Sequence, residues 1–467
     1  MKKQFVAKSL AYTISSNFFA LMVSVTVTLV VPKMVSVEQY GYWQLFLFYS
    51  TYMGVCHLGL LDGIYLSLGG KDFLDLDYSL LRKQFVTLLL STTFFSALFL
   101  ISSQLFVEDV NKQFVILGFS AVIIVGNVQT FFYYMLQVTS RFKENSLMQI
   151  TYLSIYVILL IAAVTYKPSS ILLMMACDLT GRFISVIYGA WECRRIFLCR
   201  TSSVTPFFKT LKYTVIAGAS LLFANLASSL IVGSFRFEIE RIWSVAIFGK
   251  VSLTISLCNF ILVFLNAVGI VLFPLLRRLN VQQLPGMYRT LRIFLMSLVA
   301  VSLLSFFALK PILNAWLPKY IDSLQYMAIL FPIIFFEGRM ALLINPYMKA
   351  LRFERKLLIF NVLAMMLGFL FAFVAGDVFG NLHLMLYFIV LTLAIRCLLN
   401  EVFLTRQIEI NVLGDIVVEL LIAVVFILVT QFLSNLTGCL TFAVLVLIYL
   451  LWKRTDLLTI GKKLIKQ

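Results

Sequence analysis

The sequence predicts an all-α, polytopic membrane protein of about fourteen transmembrane helices, and its composition and the spacing of its apolar stretches carry this prediction. Of 467 residues, 61% are hydrophobic and only 13% are Asp, Glu, Lys or Arg. Soluble domains are about one quarter charged, so a chain this apolar cannot cover a surface that faces water. Soluble enzymes, disordered chains and nucleic-acid binders are therefore excluded.

The apolar residues form stretches long enough to cross a bilayer, since a helix needs about 20 residues to traverse the hydrocarbon layer. Charged or turn-rich stretches divide the chain into fourteen such spans, joined by connections too short to hold a soluble domain. The last two spans are shorter than the rest, and a single hairpin is the alternative. The spans are 9–31, 40–66, 84–104, 114–137, 147–166, 169–190, 212–233, 243–273, 290–312, 324–348, 357–376, 379–400, 413–433 and 436–452.

The longest basic connection follows the sixth span and suggests two lobes of six helices each. The predicted organisation is an N-terminal lobe at 1–190, a cytoplasmic linker at 191–211, a C-terminal lobe at 212–400, and a terminal helix pair with a basic tail at 401–467. Because six is an even number, the two lobes would have the same orientation, related by an axis along the membrane normal.

The distribution of positive charge predicts the orientation in the membrane. With the N-terminus inside, and with residues within three positions of a span end counted with the adjoining connection, 27 of the 38 Lys and Arg residues lie in cytoplasmic segments, 7 lie outside, and 4 lie within the spans. Cytoplasmic loops of membrane proteins carry this excess of basic residues. We therefore expect both termini to be cytoplasmic, and we interpret the net charge of +17 as a topology signal rather than a nucleic-acid site.

The cations within the spans are the candidate binding residues, because a charge in hydrocarbon costs a few kcal/mol and tends to face a cavity. Arg182 follows Asp178 by four residues on one helix face, so a structural ion pair is the alternative to a cavity role. Arg396 lies near the cytoplasmic end of its helix, and snorkelling of its side chain to the interface is the alternative there.

Lys250 and Arg339 have no acid three or four residues away in the sequence. An unpaired cation in the membrane requires water, a partner helix or an anionic substrate. We expect both residues to face a central, water-filled cavity and to bind an anionic substrate there, with Arg182 assisting. Glu337 lies two residues from Arg339, hence on another helix face, and is the expected partner of Lys250.

Asp178 and Glu337 are also candidates for gating or coupling, and four further residues join them. His57, in the middle of the second span, could relay protons or could be a hydrogen-bonded structural histidine. Asp62, toward the inner end of that span, could form a cytoplasmic gate or mark a helix terminus. Glu240 and Arg241, at the outer start of the eighth span, are the expected counterparts on the opposite side.

The sequence contains none of the motifs that would indicate an enzyme or a pump driven by ATP. A phosphate-binding loop, paired glycosidase carboxylates and the HExxH and GxSxG motifs are all missing. The seven cysteines and two histidines are scattered, so no metal or other cofactor is expected. Any transport would run on an ion gradient or downhill, and the lack of a potassium-filter motif argues against a channel.

Four segments resemble the polysaccharide transporter (O-antigen and capsule flippase) family of the multidrug/oligosaccharidyl-lipid/polysaccharide exporter superfamily. They occur in the family's order and on the expected sides of the membrane. The segments are 31–43 with Tyr40-Gly41, 58–71 at the end of the second span, 237–249 with Glu240-Arg241, and 346–355.

The resemblance implies two six-helix lobes around a V-shaped cavity that works by alternating access. It implies a flippase that moves undecaprenyl-pyrophosphate-linked oligosaccharides from the inner to the outer leaflet, among membrane lipids and in concert with glycosyltransferases and a polysaccharide polymerase. Glu240 stands where the family usually has Asp, which leaves the coupling ion open. The alternatives are a drug/cation antiporter of the same superfamily, a lipid II flippase, and a membrane-embedded glycan polymerase.

Overall fold

The structure is a computed structural model that describes residues 2–167, 170–198, 206–276 and 284–454. The regular structure of these residues is helical throughout, with sixteen main helices and short 3-10 or α-helical turns between some of them. They are α1 (Lys2–Met34), α2 (Val37–His57), α3 (Leu60–Leu68), α4 (Tyr78–Phe106), α5 (Val110–Val138), α6 (Phe142–Tyr166), α7 (Ile171–Glu192), α8 (Phe207–Ile242), α9 (Val245–Leu276), α10 (Leu284–Trp316), α11 (Pro318–Leu330), α12 (Ile333–Ala350), α13 (Glu354–Val378), α14 (Leu382–Gln407), α15 (Leu413–Phe432) and α16 (Asn435–Trp452).

The described residues contain twelve helices long and apolar enough to cross a membrane, or fourteen spans if each of two bent helix pairs counts as one, which agrees with the predicted number of about fourteen. Twelve correspond to single helices, and two correspond to bent pairs, α2 with α3 and α11 with α12. The pairs bend by 66° and 48°. The last two spans are separate helices, α15 and α16, rather than one hairpin within a single span. Pro332 lies at the break between α11 and α12, as expected for a residue that cannot donate a backbone hydrogen bond.

Side-chain oxygens cap the starts of many helices, which explains why the chain turns where it does. A capping residue accepts a hydrogen bond from a backbone N–H that has no partner within the helix. Ser36 and Gln39 form a complete capping box at the start of α2. The other helix-capping side chains are Asp77 for α4, Asp109 for α5, Ser170 for α7, Asn381 for α14 and Ser434 for α16.

The chain divides into two compact units, residues 1–226 and 227–467, which we call unit 1 and unit 2. The division falls within α8, whereas the sequence places a linker at 191–211, before that helix. The first part of α8 thus belongs to unit 1, with the helices of the first six spans. Unit 2 includes α15 and α16 together with α9–α14. Residues 199–205 of the predicted linker lie outside the described residues.

In unit 1, α5 is the central helix. Within its most apolar 18-residue window, 61% of the residues are buried, against 17–39% for α1, α4, α6 and α7. A glycine permits the close packing of α5 against α7. A Cβ at Gly118 would lie only 2.5 Å from the Met175 sulfur of α7, so a larger residue would not fit without a shift of that side chain. Phe131, Phe132 and Met135 of α5 are fully buried in an apolar cluster with residues of α3 and α4.

The break between α2 and α3 is made by two residues with left-handed backbone conformation, Leu58 (φ 52°) and Gly59 (φ 83°). The short helix α3 then crosses the first part of α8 with backbone against backbone. A Cβ at Gly63 would overlap the carbonyl oxygen of Thr214, and one at Gly218 would overlap that of Gly59. Only glycine fits such a crossing, so these positions fix the approach of α3 to α8.

Candidate functional site: a polar cavity in unit 1

Helix α5 has two chemically different faces. Phe131, Phe132 and Met135 point into the apolar core, whereas Gln129, Tyr133 and Gln137 recur at every fourth residue and so lie along another face. Helix α6 presents Asn145, Gln149 and Tyr152 at a similar spacing. Two polar stripes on membrane-spanning helices therefore meet inside unit 1.

These stripes line a cavity of about 400 Å³. That volume lies within the range of about 300–1,000 Å³ that is typical of small-molecule sites. Arg182 of α7 supplies the positive charge, and the carboxamides and phenol groups supply donors and acceptors of hydrogen bonds. The residues that line the cavity are Ala20, Met53, Gln129, Thr130, Tyr133, Gln137, Asn145, Gln149, Tyr152, Leu153 and Arg182.

Arg182 is held in place by a buried carboxylate. Its Nε donates to Asp178 Oδ2 at 2.7 Å, and its Nη1 donates to Gln129 Oε1 at 3.3 Å. Asp178 is 1% exposed and accepts a second hydrogen bond from the Tyr152 hydroxyl at 2.6 Å. The Arg182 side chain remains 14% exposed, and its Nη2 has no protein hydrogen bond within the described chain. The arginine thus keeps one donor group for a ligand.

Three aromatic rings pack beside Arg182 and its partners. The Arg182 guanidinium carbon lies 5.1 Å from the centre of the Tyr152 ring, a distance that permits a cation–π interaction. Tyr152 stacks on Tyr156 at 5.9 Å, and Tyr156 stacks on Trp43 at 6.3 Å. The stack fixes the position of Tyr152, and through it the position of Asp178.

The approach of α7 to α6 depends on a glycine beside the arginine. A Cβ at Gly181 would lie 3.0 Å from the Tyr152 carbonyl oxygen, so a larger residue would force the two helices apart. Ser185, one turn further along α7, donates to the Met148 carbonyl of α6 at 3.0 Å. The sequence prediction that Asp178 and Arg182 share a helix face is confirmed, and the pair also belongs to a cavity wall.

The cavity contains groups that suit a neutral polyol next to an anion. The Asn145 Oδ1 atom is buried without a protein hydrogen bond. A buried acceptor of this kind is satisfied by water or by a hydroxyl donor of a ligand. Asp178 is neutralised by Arg182, so Arg182 attracts anions less strongly than an isolated cation would, although it keeps an available N–H group.

His57 and Asp62 lie together at the bend between α2 and α3. The Gly59 amide donates to His57 Nδ1 at 3.1 Å, which leaves the proton of a neutral imidazole on Nε2. That nitrogen lies 3.8 Å from Asp62 Oδ2, and both side chains are 6% exposed. Asp62 is in the first turn of α3, where the helix dipole stabilises a carboxylate. Whether these residues act as a gate stays a prediction.

The sequence expectation that Arg339 lacks a counter-charge is wrong. Arg339 of α12 lies 2.8 Å from Glu401 of α14 and 2.5 Å from Glu419 of α15. Arg292 of α10 lies 2.8 Å from each of the same two glutamates. All four side chains are at most 1% exposed. We call these four residues the charge network of unit 2.

The charge network carries two positive and two negative charges and is neutral as a whole. Tyr288 donates to Glu401 at 3.1 Å, and Tyr449 donates to Glu419 at 3.2 Å. The sequence analysis counted Arg292 with a cytoplasmic connection, because it is only the third residue of the predicted span 290–312. Helix α10 begins at Leu284, so Arg292 lies well inside it. Arg339 is therefore enclosed by protein groups.

The expected partnership of Lys250 with Glu337 is also wrong. Lys250 pairs with Asp322 at 2.5 Å, and the Asp322 side chain is 57% exposed. Glu337 instead accepts from Arg396 at 2.7 Å. Arg396 also donates to the Asn361 side-chain oxygen at 2.9 Å. Its guanidinium group therefore has protein partners, besides the closeness to the helix end that would permit snorkelling. The sequence prediction that Lys250 and Arg396 bind substrate is not tested by these contacts, and the carboxylate partner of each residue argues against it.

Arg241 forms two ion pairs at the ends of helices. It pairs with Glu238 of its own helix at 2.5 Å and with Asp377 of α13, and its side chain is 56% exposed. The pair joins the ends of α8 and α13 within unit 2. Glu240 lies next to Arg241 in the sequence and is partly buried. The gating role of both residues stays a prediction.

The sequence analysis missed the uncharged residues of the unit 1 cavity because it searched for charge. The available signal was the recurrence of polar residues at every fourth position within apolar spans. Glu401 was missed because the predicted span ends at residue 400, one residue before it, and Glu419 was missed although it lies inside the predicted span 413–433, because the search within the spans centred on cations. The missed residues are Gln129, Tyr133, Gln137, Asn145, Gln149, Tyr152, Arg292, Glu401 and Glu419.

The helices and the cavity define a polytopic membrane protein with a polar cavity in its first unit. Solved structures share this architecture. A multidrug resistance MATE family transporter of the MOP superfamily, in an inward-facing conformation, matches with a TM-score of 0.65 and 12% identity, over 82% of this chain and 94% of that chain.

Two further structures give the same result. The lipid II flippase MurJ, in an inward closed conformation, matches with a TM-score of 0.60 and 13% identity, over 96% of this chain and 99% of that chain. A MATE family transporter in an outward-facing conformation gives 0.51 at 11% identity, over 87% of this chain and 96% of that chain. No family model and no curated protein sequence matches the chain. The chain has the fold of MOP-superfamily transporters.

Proposed function

We propose that the protein is a flippase that moves undecaprenyl-pyrophosphate-linked oligosaccharides from the inner to the outer leaflet by alternating access, for the assembly of a surface polysaccharide. The observation that carries this proposal is the polar cavity of unit 1, with Arg182 in its wall and carboxamides along two helices. The fold shared with the MATE and MurJ structures supports transport, and the cavity chemistry supports the class of substrate.

The headgroup of such a substrate has two chemical parts, and the cavity offers partners for both. Sugar hydroxyls donate and accept hydrogen bonds, and so do the carboxamides of Gln137, Asn145 and Gln149. A pyrophosphate carries charge that hydrocarbon does not tolerate, and a guanidinium binds it through charge-assisted hydrogen bonds. We assign the pyrophosphate to Arg182 and the sugars to the amide stripes.

The charge of the cavity favours this substrate over a cationic drug. A site for cations is expected to expose a carboxylate, but the described residues that line this cavity include no acid. The nearby Asp178 is buried and paired with Arg182. We therefore place the drug/cation antiporter second. A lipid II flippase would use the same cavity chemistry for another headgroup. The match to the MurJ structure over 96% of the chain is the reason to test lipid II as an alternative substrate.

The bend between α2 and α3 is the proposed inner gate. Asp62 and His57 lie at a backbone break, and motion at such a break changes the direction of α3. The Arg241 contact with Glu238 and Asp377 is the proposed outer counterpart, because it joins the ends of two spans. Glu240, which precedes Arg241 in the sequence, is proposed to act in the same outer gate.

Transport by the purified protein in liposomes tests the proposal. The lipid-linked oligosaccharide carries a fluorophore on its sugar, and a membrane-impermeant quencher reports the leaflet that it occupies. We expect Arg182→Met to slow translocation by tenfold or more, since a hydrogen bond to a charged group contributes about 1.5–3 kcal/mol. Arg182→Lys should retain part of the rate because it keeps the charge without the planar fork.

Two controls separate binding from folding. Arg182→Met leaves Asp178 without its counter-charge, so Arg182→Met with Asp178→Asn restores neutrality and should restore the amount of folded protein without restoring transport. Lys143→Met removes an exposed cation of α6 that does not line the cavity, and it should leave transport unchanged. Normal transport by a stable Arg182→Met variant would contradict the proposal, and translocation of lipid II or of a cationic drug in its place would select an alternative.

The orientation and the partners follow from the same proposal. With both termini in the cytoplasm of a bacterial inner membrane, an impermeant thiol reagent applied from outside should label a cysteine at Lys112 and should miss one at Lys143. The reverse pattern would contradict the orientation. Glycosyltransferases that build the substrate and a polymerase that consumes it are the proposed functional neighbours, and loss of the protein should cause lipid-linked repeat units to accumulate.

A further inference from the structure

A second cavity lies within unit 2, where the ends of α10, α11 and α16 meet, away from the charge network. Its volume is about 320 Å³. One cation and three carboxamides line it, namely Lys310, Asn314, Gln325 and Asn435. We propose that this cavity binds the headgroup of a membrane lipid, specifically a phosphodiester that carries hydroxyl groups.

Lys310 supplies the site for the phosphate. It has no ion pair within the described part of the chain, and its ammonium nitrogen lies 5.8 Å from the centre of the Phe306 ring. A cation–π contact holds an ammonium group in place but leaves its donors for other partners. A lysine at the rim of a membrane span binds phosphate as a point charge.

Asn435 supplies the site for a hydroxyl group. Its Nδ2 donates to the Phe307 carbonyl oxygen at 2.9 Å, which fixes the orientation of the amide. Its Oδ1 atom is then buried without a protein hydrogen bond. An oxygen in this position accepts from a donor, and a hydroxyl of the ligand meets that requirement. Asn314 and Gln325 are exposed and can bond to further hydroxyls.

The surface around the cavity fits the acyl chains of the same lipid. Ile312, Ile321 and Leu436 flank these polar residues in the sequence and are 61%, 52% and 72% exposed. In a membrane-spanning helix, exposed apolar side chains of this kind contact lipid tails. A lipid can therefore place its headgroup in the cavity while its tails lie along the neighbouring helices.

Two lipids have this headgroup chemistry. One is a phosphatidylglycerol of the bilayer, and the other is a lipid-linked saccharide phosphate. Native mass spectrometry of the detergent-purified full chain separates them, with phosphatidylglycerol, phosphatidic acid, phosphatidylcholine and a polyprenyl-linked oligosaccharide added in turn as probes. We expect phosphatidylglycerol or the oligosaccharide lipid to bind about tenfold more tightly than phosphatidylcholine, whose charge is neutralised and which lacks a hydroxyl.

Matched variants locate the binding. Lys310→Gln should abolish the preference for the anionic lipid, whereas Lys310→Arg should keep it. Lys319→Gln removes an exposed lysine close in sequence that does not line the cavity, and it should change nothing. Asn435→Ala should reduce the affinity for phosphatidylglycerol to that for phosphatidic acid. Equal binding of all the lipids, or an equal loss with Lys319→Gln, would overturn the proposal.

Discussion

Arg182 in unit 1 and Arg339 in unit 2 are both arginines within membrane spans, and their surroundings differ in one decisive respect. Arg182 has one carboxylate partner, borders a cavity and keeps an N–H group without a protein partner. Arg339 has two carboxylate partners and is 1% exposed. The presence of a charge in a span therefore does not identify a binding site, whereas the number of its hydrogen bonds that remain unused does.

The largest expected effect is on stability, and it concerns the charge network. Removing one partner of a buried ion pair leaves an uncompensated charge and costs about 3–5 kcal/mol. Arg292→Met should therefore sharply reduce the amount of folded protein in the membrane and its melting temperature in detergent. Arg182→Met should reduce both by less, because the Arg182 side chain is 14% exposed.

A second substitution tests whether charge balance is the cause. Arg292→Met together with Glu419→Gln leaves one arginine, Arg339, and one glutamate, Glu401, so the network is neutral again. We expect the double variant to recover at least half of the lost stability. If it is as unstable as Arg292→Met alone, packing rather than charge explains the loss, and the contrast between the two units no longer holds.

Unit 1 should also be sensitive to the spacing of its backbones. Gly63→Ala places a methyl group against the Thr214 carbonyl, so α3 and α8 must separate. Forcing an extra carbon into a packed contact costs about 1–3 kcal/mol. We expect a lower melting temperature and slower transport. Gly69→Ala is the matched control, since the nearest atom to its Cβ would be 3.7 Å away. If both variants lose the same stability, close packing of α3 against α8 is not the cause of the loss.

The fold could be predicted from the sequence because apolar length alone identifies a membrane span. The bend at Leu58 and Gly59 could not, since the apolar residues continue through it. The ion pairs of Arg339 could not be predicted from the sequence either. Its partners, Glu401 and Glu419, lie 62 and 80 residues further along the chain, and spacing within one helix says nothing about contacts between helices.

The candidate site was predicted in part. The link between Asp178 and Arg182 follows from their spacing of four residues, so the sequence could supply it. The amide groups of α5 and α6 carry no charge, and they form a cavity wall only because two helices bring their stripes together. Such residues become visible as a site only when the packing of helices is known.

A smaller effect is expected from the amide stripes, and it concerns transport alone. Gln137→Leu and Gln149→Leu each remove one hydrogen-bonding group from the cavity, worth about 0.5–1.5 kcal/mol. In the liposome assay we expect each to slow translocation about two- to tenfold, with normal abundance. The combined variant should multiply the two effects if the groups bind separate hydroxyls. If neither variant changes the translocation rate, the assignment of the sugars to these amides is wrong, whereas the assignment of the pyrophosphate to Arg182 is unaffected.

The smallest expected effect concerns Lys250, the cation that the sequence analysis treated as equivalent to Arg339. Its pair with Asp322 involves a carboxylate that is 57% exposed, and exposed pairs contribute about 0–1 kcal/mol. Lys250→Met should therefore leave the melting temperature and the translocation rate close to those of the wild type, and Asp322→Asn should behave in the same way. The measurement is the liposome assay beside membrane abundance, with Arg182→Met as the reference for a lost substrate contact. A Lys250→Met variant that is normally abundant but does not transport would show that this lysine binds substrate. In that case the substrate site would have to include unit 2.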